Sequence, residues 1–186
     1  MVNGNNNYLE SVPVVRTLDF SQKNLIYNGG NWHNHYCLGN GNLVKIPKSF
    51  DPISDIEVLV NFPYHYDLLK DEFLIAKDLY ENEINVPFPN GVFNMRDMST
   101  GEIYPGFSMQ NLSWTIPLEN LKIENYDQIK SLRDVQIKKS RELGYIPIDS
   151  SRPLNSLWDP INNKVYLIDF EFWKRTSVAE KRLNIA

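Results

Sequence analysis

The chain has 186 residues, 42% of them hydrophobic and 23% charged, and a formal net charge of −4. That length predicts one domain, or two small lobes sharing a cleft, and the composition is globular rather than disordered. The acidic balance excludes nucleic acid held by bulk charge, and no run reaches the ~18 apolar residues of a membrane-spanning helix. Cys37 is the single cysteine, which excludes an intramolecular disulfide. With no basic-then-apolar leader at the N-terminus, the expectation is a cytoplasmic protein.

In chain order, residues 1–12 are Asn-rich and polar and predict a flexible tail. Leu25–Tyr27, Trp32–Leu38 and Leu43–Ile46 predict three antiparallel strands. Gly39-Asn40-Gly41-Asn42 makes the turn between the last two, from residues that tolerate φ > 0, and Pro47 closes the third. Leu68, Leu69, Glu72, Phe73, Ile75, Ala76, Leu79 and Tyr80 recur at helical spacing. Asn85-Val86-Pro87-Phe88-Pro89-Asn90-Gly91 ends that helix. Gly91–Met95 and Ile103–Met109 predict two more strands around a Ser99-Thr100-Gly101 turn. A second amphipathic helix is predicted over residues 125–143, with Ile129, Leu132, Val135 or Gln136, Lys139 and Leu143 on one stripe and Gly144 at C′. Its basic stretch, Lys130–Arg141, is diluted by Asp134 and reads as a solvated face. A loop follows over 146–160, then an apolar strand, Lys164–Phe170, carrying Asp169, and a polar, helical C-terminus. The element order predicts an α+β fold built on a mostly antiparallel sheet with one inserted helix, not a βαβ alternation.

The chemistry concentrates in Asp149-Ser-Ser-Arg-Pro-Leu-Asn155, a short hairpin turning at Asp159–Asn163, and Leu167-Ile168-Asp169-Phe170-Glu171. A carboxylate at the end of a buried strand is costly unless its charge is offset. A loop Asn and a strand-end Asp converging across a turn offer the hard oxygen ligands that suit Mg²⁺. This segment resembles the catalytic loop and metal-binding motif of the protein-kinase-like superfamily. Asp-Phe-Glu at 169–171 is similar to the small-molecule branch of aminoglycoside phosphotransferases and choline kinases.

The resemblance implies a two-lobed protein-kinase-like fold. Residues 13–110 would form an N-lobe-like antiparallel sheet plus helix, and 111–186 a reduced helical C-lobe with the catalytic-like loop. It implies ATP and Mg²⁺ as cofactors, with Gly29 and Gly30 of the Asn28-Gly29-Gly30-Asn31 turn between the first two strands near the phosphates and Lys45 on the α/β-phosphates. Glu72 would orient Lys45, Asn155 and Asp169 would hold the metal, and Asp149 would act as catalytic base. Gly106–Asn111 would supply the hinge. Registering the loop on Pro153 and Asn155 places Ser150, rather than Asp149, at the base position, and both assignments stand. Pro147 replaces the expected His or Tyr, and only residues 172–186 follow Glu171. The implied function is a minimal ATP/Mg²⁺-dependent phosphotransferase of unknown acceptor. The alternative is a pseudokinase that binds nucleotide or a protein partner, or a second copy covering the reduced C-lobe, without turnover.

Each residue has a plainer reading. Asp169 could cap a turn, in a fold unrelated to kinases. Lys45 could be an edge-strand lysine that discourages sheet addition. Glu72 could pair with Lys70 or Lys77, with Asp71 as its competitor for Lys45. His33 and His35 share a strand face, a transition-metal geometry without an evident acidic or Cys partner. Cys37, Trp158 and Trp173 read as packing residues. Ser150 and Ser151 lack a neighbouring His to activate them as nucleophiles.

Overall fold

The computed structural model describes residues 14–19, 25–27, 33–47, 62–121, 126–148 and 155–183. Its backbone contacts divide the chain into two units, Met1–Phe73 with Asn90–Asn111, and Leu74–Pro89 with Leu112–Ala186.

In the first unit, β1 (Val14–Leu18), β2 (Leu25–Tyr27), β3 (His33–Gly39), β4 (Asn42–Pro47), β5 (Pro89–Asp97) and β6 (Ile103–Gln110) form one sheet, ordered β1-β5-β6-β4-β3-β2. The β3–β4 hairpin turns through Gly39, Asn40 and Gly41, all at positive φ, as the sequence expectation required. The sheet is mostly antiparallel, as expected, and one strand that the sequence reading did not single out joins it: β1 runs parallel to β5, pairing Thr17 with Arg96 and Leu18 with Asp97. Nothing local distinguishes a parallel edge strand from an antiparallel one, because its partner lies far along the chain.

Register decides which residues share a face. His35 lies opposite Lys45 and Tyr36 opposite Val44 on β3–β4, while Lys45 lies opposite Phe107 and Val44 opposite Ser108 on β4–β6. The face carrying Tyr36, Val44 and Ile46 builds an apolar cluster with Leu18, Met95 and Tyr104. Gly106 faces this cluster because nothing larger fits. A Cβ there would come within 2.5 Å of Val44 Cγ2 and 2.6 Å of Ile46 Cδ1. Of Gly106–Asn111, expected as a hinge, all but Asn111 lie inside β6, the strand the sequence predicted over Ile103–Met109.

The helix α1 (Phe62–Glu81) crosses the division between units, grouping with the first through Phe73 and with the second from Leu74. Its buried stripe is Leu69, Glu72, Ile75, Ala76 and Leu79. Phe73 meets Phe107 edge to face at 6.0 Å, so the face of β4–β6 opposite the apolar cluster is the α1 face.

The second unit contains β7 (Ile116–Pro117), a 3₁₀ turn at Leu118–Asn120, α2 (Tyr126–Glu142), β8 (Tyr145–Ile146), β9 (Ser156–Asp159), β10 (Lys164–Leu167), β11 (Lys174–Arg175) and α3 (Ser177–Leu183). Among the described residues the strands order as β10-β9-β7 and β11-β8. Leu118, Ile129 and Val165 form the core beneath α2, with Leu121, Leu132 and Trp158 packed on it, so Trp158 is a packing residue. Three sequence expectations are amended in this unit. The predicted loop over 146–160 contains β9, and the strand expected to run to Phe170 ends at Leu167. Arg133, within the basic stretch read as solvated, is buried and pairs with Asp134 at 3.1 Å. No described helix is long and apolar enough to cross a membrane.

Gly144 ends α2 at φ +88, the left-handed C′ conformation anticipated from sequence. Its carbonyl also accepts the Thr176 N–H at 2.8 Å, and a Cβ there would lie 2.8 Å from the Ala179 backbone nitrogen. Gly144→Ala therefore meets both backbone strain and collision with the start of α3. The expected cost is about 1–3 kcal/mol, read as a lower denaturant midpoint at unchanged slope.

Candidate nucleotide and metal site

Lys45 is 3% exposed and Glu72 2% exposed. The Lys45 Nζ lies 2.9 Å from both Oε1 and Oε2 of Glu72, a bidentate charge-assisted pair. β4 lies between β3 and β6, so Lys45 is on an interior strand and does no edge-protecting work. Asp71 is exposed, and Lys77 pairs instead with Glu81 at 3.8 Å across one helical turn. Of the carboxylates weighed for Lys45, Glu72 is the one the helix presents to β4. Burying two charges costs several kcal/mol in desolvation, which a single well-formed pair offsets only in part. A chain that needed only stability at this position is served as well by apolar residues of the same volume. Such an arrangement therefore marks a candidate functional site.

The second unit presents Asn155 and Asp169. β9 and β10 pair antiparallel, Leu167 opposite Ser156, and the Ile168 N–H donates to the Asn155 carbonyl at 3.1 Å, extending the ladder by one step. Asn155 thus sits beside the chain segment that leads into Asp169. Asp169 is exposed and adopts φ +63, a conformation uncommon outside glycine though tolerated by Asp. The strand stops before it, and Phe170 turns inward, buried and edge to face with Trp173 at 5.1 Å. The buried aromatic and the exposed carboxylate are thus adjacent, and Asp169 lies at the surface outside the hydrophobic core.

Asp159 holds that hairpin in register. Its Oδ1 accepts the Ile161 and Asn162 N–H groups at 3.0 and 3.1 Å, and its Oδ2 accepts from Asn162 Nδ2 at 2.8 Å and Trp114 Nε1 at 3.3 Å. The Asn162 side chain contributes most to holding the Asp159 carboxyl below its ordinary value, against the opposing effect of desolvation. The sequence marks a turn here, and an Asp two to three residues ahead of the amides it accepts from is the available signal.

A further network has no local signature. Asp78 of α1 accepts from the Tyr145 hydroxyl at 2.5 Å and from Arg182 of α3 at 2.9 Å. Arg182 also donates to the Leu143 carbonyl and lies 5.8 Å over the Tyr145 ring. Burial, and then Asp78, push the Tyr145 phenol well above its ordinary range. This network anchors the strand from which residues 147 and 148 depart.

Asp149, Gly29 and Gly30 lie outside the described residues, as do Ser150, Ser151 and the 1–12 tail. His33 and His35 join no group of three metal-ligating side chains among the described residues, and His35 lies opposite the Lys45 cation. Across the described residues no cluster of three His, Cys, Asp or Glu stands ready to hold a metal ion. Asn155 and Asp169 are oxygen donors of the class that a hard cation such as Mg²⁺ takes, with Asp169 exposed at the end of the segment beside Asn155.

No protein-family model matches the sequence, and no curated protein matches it. Among solved structures the chain is similar to the Rio2 kinase from Chaetomium thermophilum, crystallised as an ADP/Mg²⁺–phosphoaspartate complex. The TM-score is 0.56 and the identity 17%, over 85% of this chain. The chain spans about half, 50%, of that structure's length. The likeness shows the fold: a mixed α+β, protein-kinase-like arrangement of an N-lobe sheet with its helix and a small C-lobe.

Two outcomes follow from the geometry. Lys45→Met should cost about 3–5 kcal/mol by removing the cation paired with the buried Glu72 carboxylate, and Lys45→Met with Glu72→Leu should recover most of that loss; urea unfolding of the three proteins measures it. For Asp159, a lowered carboxyl pKa in the folded state means a contribution fully present above the unfolded value, about 3.9. It is lost as pH falls through the folded value. Stability below pH ~4 should therefore drop less steeply in Asp159→Asn than in wild type.

Proposed function

We propose that this chain binds ATP with Mg²⁺ and is a kinase-like phosphotransferase. The observation that carries the reading is the buried Lys45–Glu72 pair on the interior strand of a kinase-like sheet. In this reading Glu72 holds the Lys45 ammonium extended and charged, ready for the α/β-phosphates, and Gly29 and Gly30 lend backbone N–H groups to them. Asn155 and Asp169 hold the metal. Mg²⁺ bound there would supply charge neutralisation on phosphate oxygens. Asp149, or Ser150 in the alternative register, orients an acceptor hydroxyl. Rate enhancement rests on positioning and electrostatics, because phosphoryl transfer asks little covalent chemistry of the protein. The fold neighbour was crystallised with ADP and Mg²⁺, which supports the choice of ligand.

A second reading, a nucleotide-binding pseudokinase that serves as an interaction module, is favoured by apolar side chains on the second unit. Ile146, Ile148, Phe172 and Val178 are all exposed. Both readings share the nucleotide and part at the metal and at turnover.

Thermal unfolding of wild type and Asp169→Ala, titrated with ATP in the presence and absence of Mg²⁺, separates them. Ligand at a hundredfold over its Kd stabilises the folded state by about 2.7 kcal/mol. The phosphotransferase reading expects a Mg²⁺-dependent rise in Tm that Asp169→Ala removes. A rise indifferent to Mg²⁺ supports the pseudokinase, and no rise at millimolar ATP overturns both.

A further inference from the structure

The backbone entering Asp169 is held from two sides, and one of those sides begins at a residue with no part in the reading above. Gln136 lies on the inward side of α2, beside the buried Arg133, Ile137 and Ser140. A side-chain amide in that position is costly unless its polar atoms are used. Its Oε1 accepts the Asn85 N–H at 3.0 Å. Asn85 follows the turn that ends α1, in which Glu83 adopts φ +60 and the Ile84 N–H closes on the Leu79 carbonyl at 3.0 Å. The Asn85 carbonyl then accepts the Leu167 N–H at 2.9 Å, and the next amide, Ile168, donates to Asn155 at 3.1 Å. Successive strand amides point to opposite sides. The last two before Asp169 are therefore pinned on opposite flanks, one by Asn155 and one by Asn85.

We propose that Gln136 is a positioning residue for the Asp169 turn. By holding the N–H of Asn85, it fixes one of the two peptide units that flank the Asn85 Cα, and the other carries the carbonyl that accepts from Leu167. Asn85, bonded through both units, thereby links α2 to the end of β10 and to the left-handed residue that follows. The consequence for metal affinity rests on the reading in which Asp169 holds Mg²⁺; the placement of the turn does not. The side-chain length matters as much as the acceptor. Glutamate at 136 keeps an oxygen at the same reach, whereas methionine keeps the volume and removes the acceptor. The Ser140 hydroxyl, which donates to the Gln136 carbonyl at 2.9 Å, is untouched by either change.

Amide hydrogen exchange on the full ligand-free chain tests the placement. In Gln136→Met the Leu167 amide should exchange about tenfold faster than in wild type, with Val44 and Ile46 of the first sheet unchanged, and Gln136→Glu should return it to within about twofold. A Leu167 rate in Gln136→Met equal to wild type overturns the proposal. So does an equal acceleration at Val44 and Ile46, which reports global destabilisation instead. The ATP melt adds a readout that a merely structural role does not produce: Gln136→Met should lose the Mg²⁺-dependent part of the Tm shift and keep the Mg²⁺-independent part. Equal loss of both parts overturns the positioning role. A wild type without any Mg²⁺-dependent shift sinks the metal reading alone, and the Leu167 exchange rate still decides whether Gln136 places the turn.

Discussion

A lysine ammonium buried on the interior strand of a sheet is the constraint from which the first unit is built. Lys45 cannot reach water at 3% exposure, so the element packed on its face must bring a carboxylate to it. α1 meets this by interrupting its own apolar stripe with Glu72, and the adjacent Phe73–Phe107 contact sets the helix over β6 as well as β4. The requirement propagates through the sheet. With one face committed to the ion pair and α1, the opposite face must supply the apolar core, and Gly106 gives Val44 and Ile46 room to close it.

In the second unit the governing interactions are polar and local to turns. Asp159 ties the β9–β10 hairpin, which aligns Asn155 with Ile168, and the chain then leaves the sheet in a left-handed step at Asp169. The buried Asp78–Tyr145–Arg182 network does comparable work for the strand before residue 147, joining the later half of α1 to α3. Both arrangements spend hydrogen bonds on segments with little apolar surface of their own, which is how loops near chemistry are held in defined conformations.

The likeness to a solved kinase at 17% identity speaks to architecture. Fold leaves function open, and what points to a site here is particular groups: an ion pair more costly than stability requires, and a carboxylate outside the core at an uncommon backbone angle. The Asp-Phe-Glu order has a physical sense here, since Phe170 anchors inward while Asp169 remains exposed.

Much of this was legible in the residues themselves. Alternation and turn glycines located β3 and β4, helical spacing located α1 and α2, and Gly144 marked the end of α2, because each depends on neighbours within a few positions. Glu72 was recognisable as a charge on an apolar stripe, with Asp71 as its rival. Only the rotation of α1 against β4 separated the two. The parallel pairing of β1 with β5, the packing of Gly106 against Val44 and Ile46, the Asp78–Tyr145–Arg182 network and the line from Gln136 through Asn85 to Leu167 had no signal in the sequence. Each joins groups distant along the chain, and a hydrogen bond between such groups is set by how packed elements are oriented. Local periodicity determines where elements lie and which face is apolar; tertiary packing alone decides which polar groups meet, because that depends on distances the chain acquires only when it closes on itself.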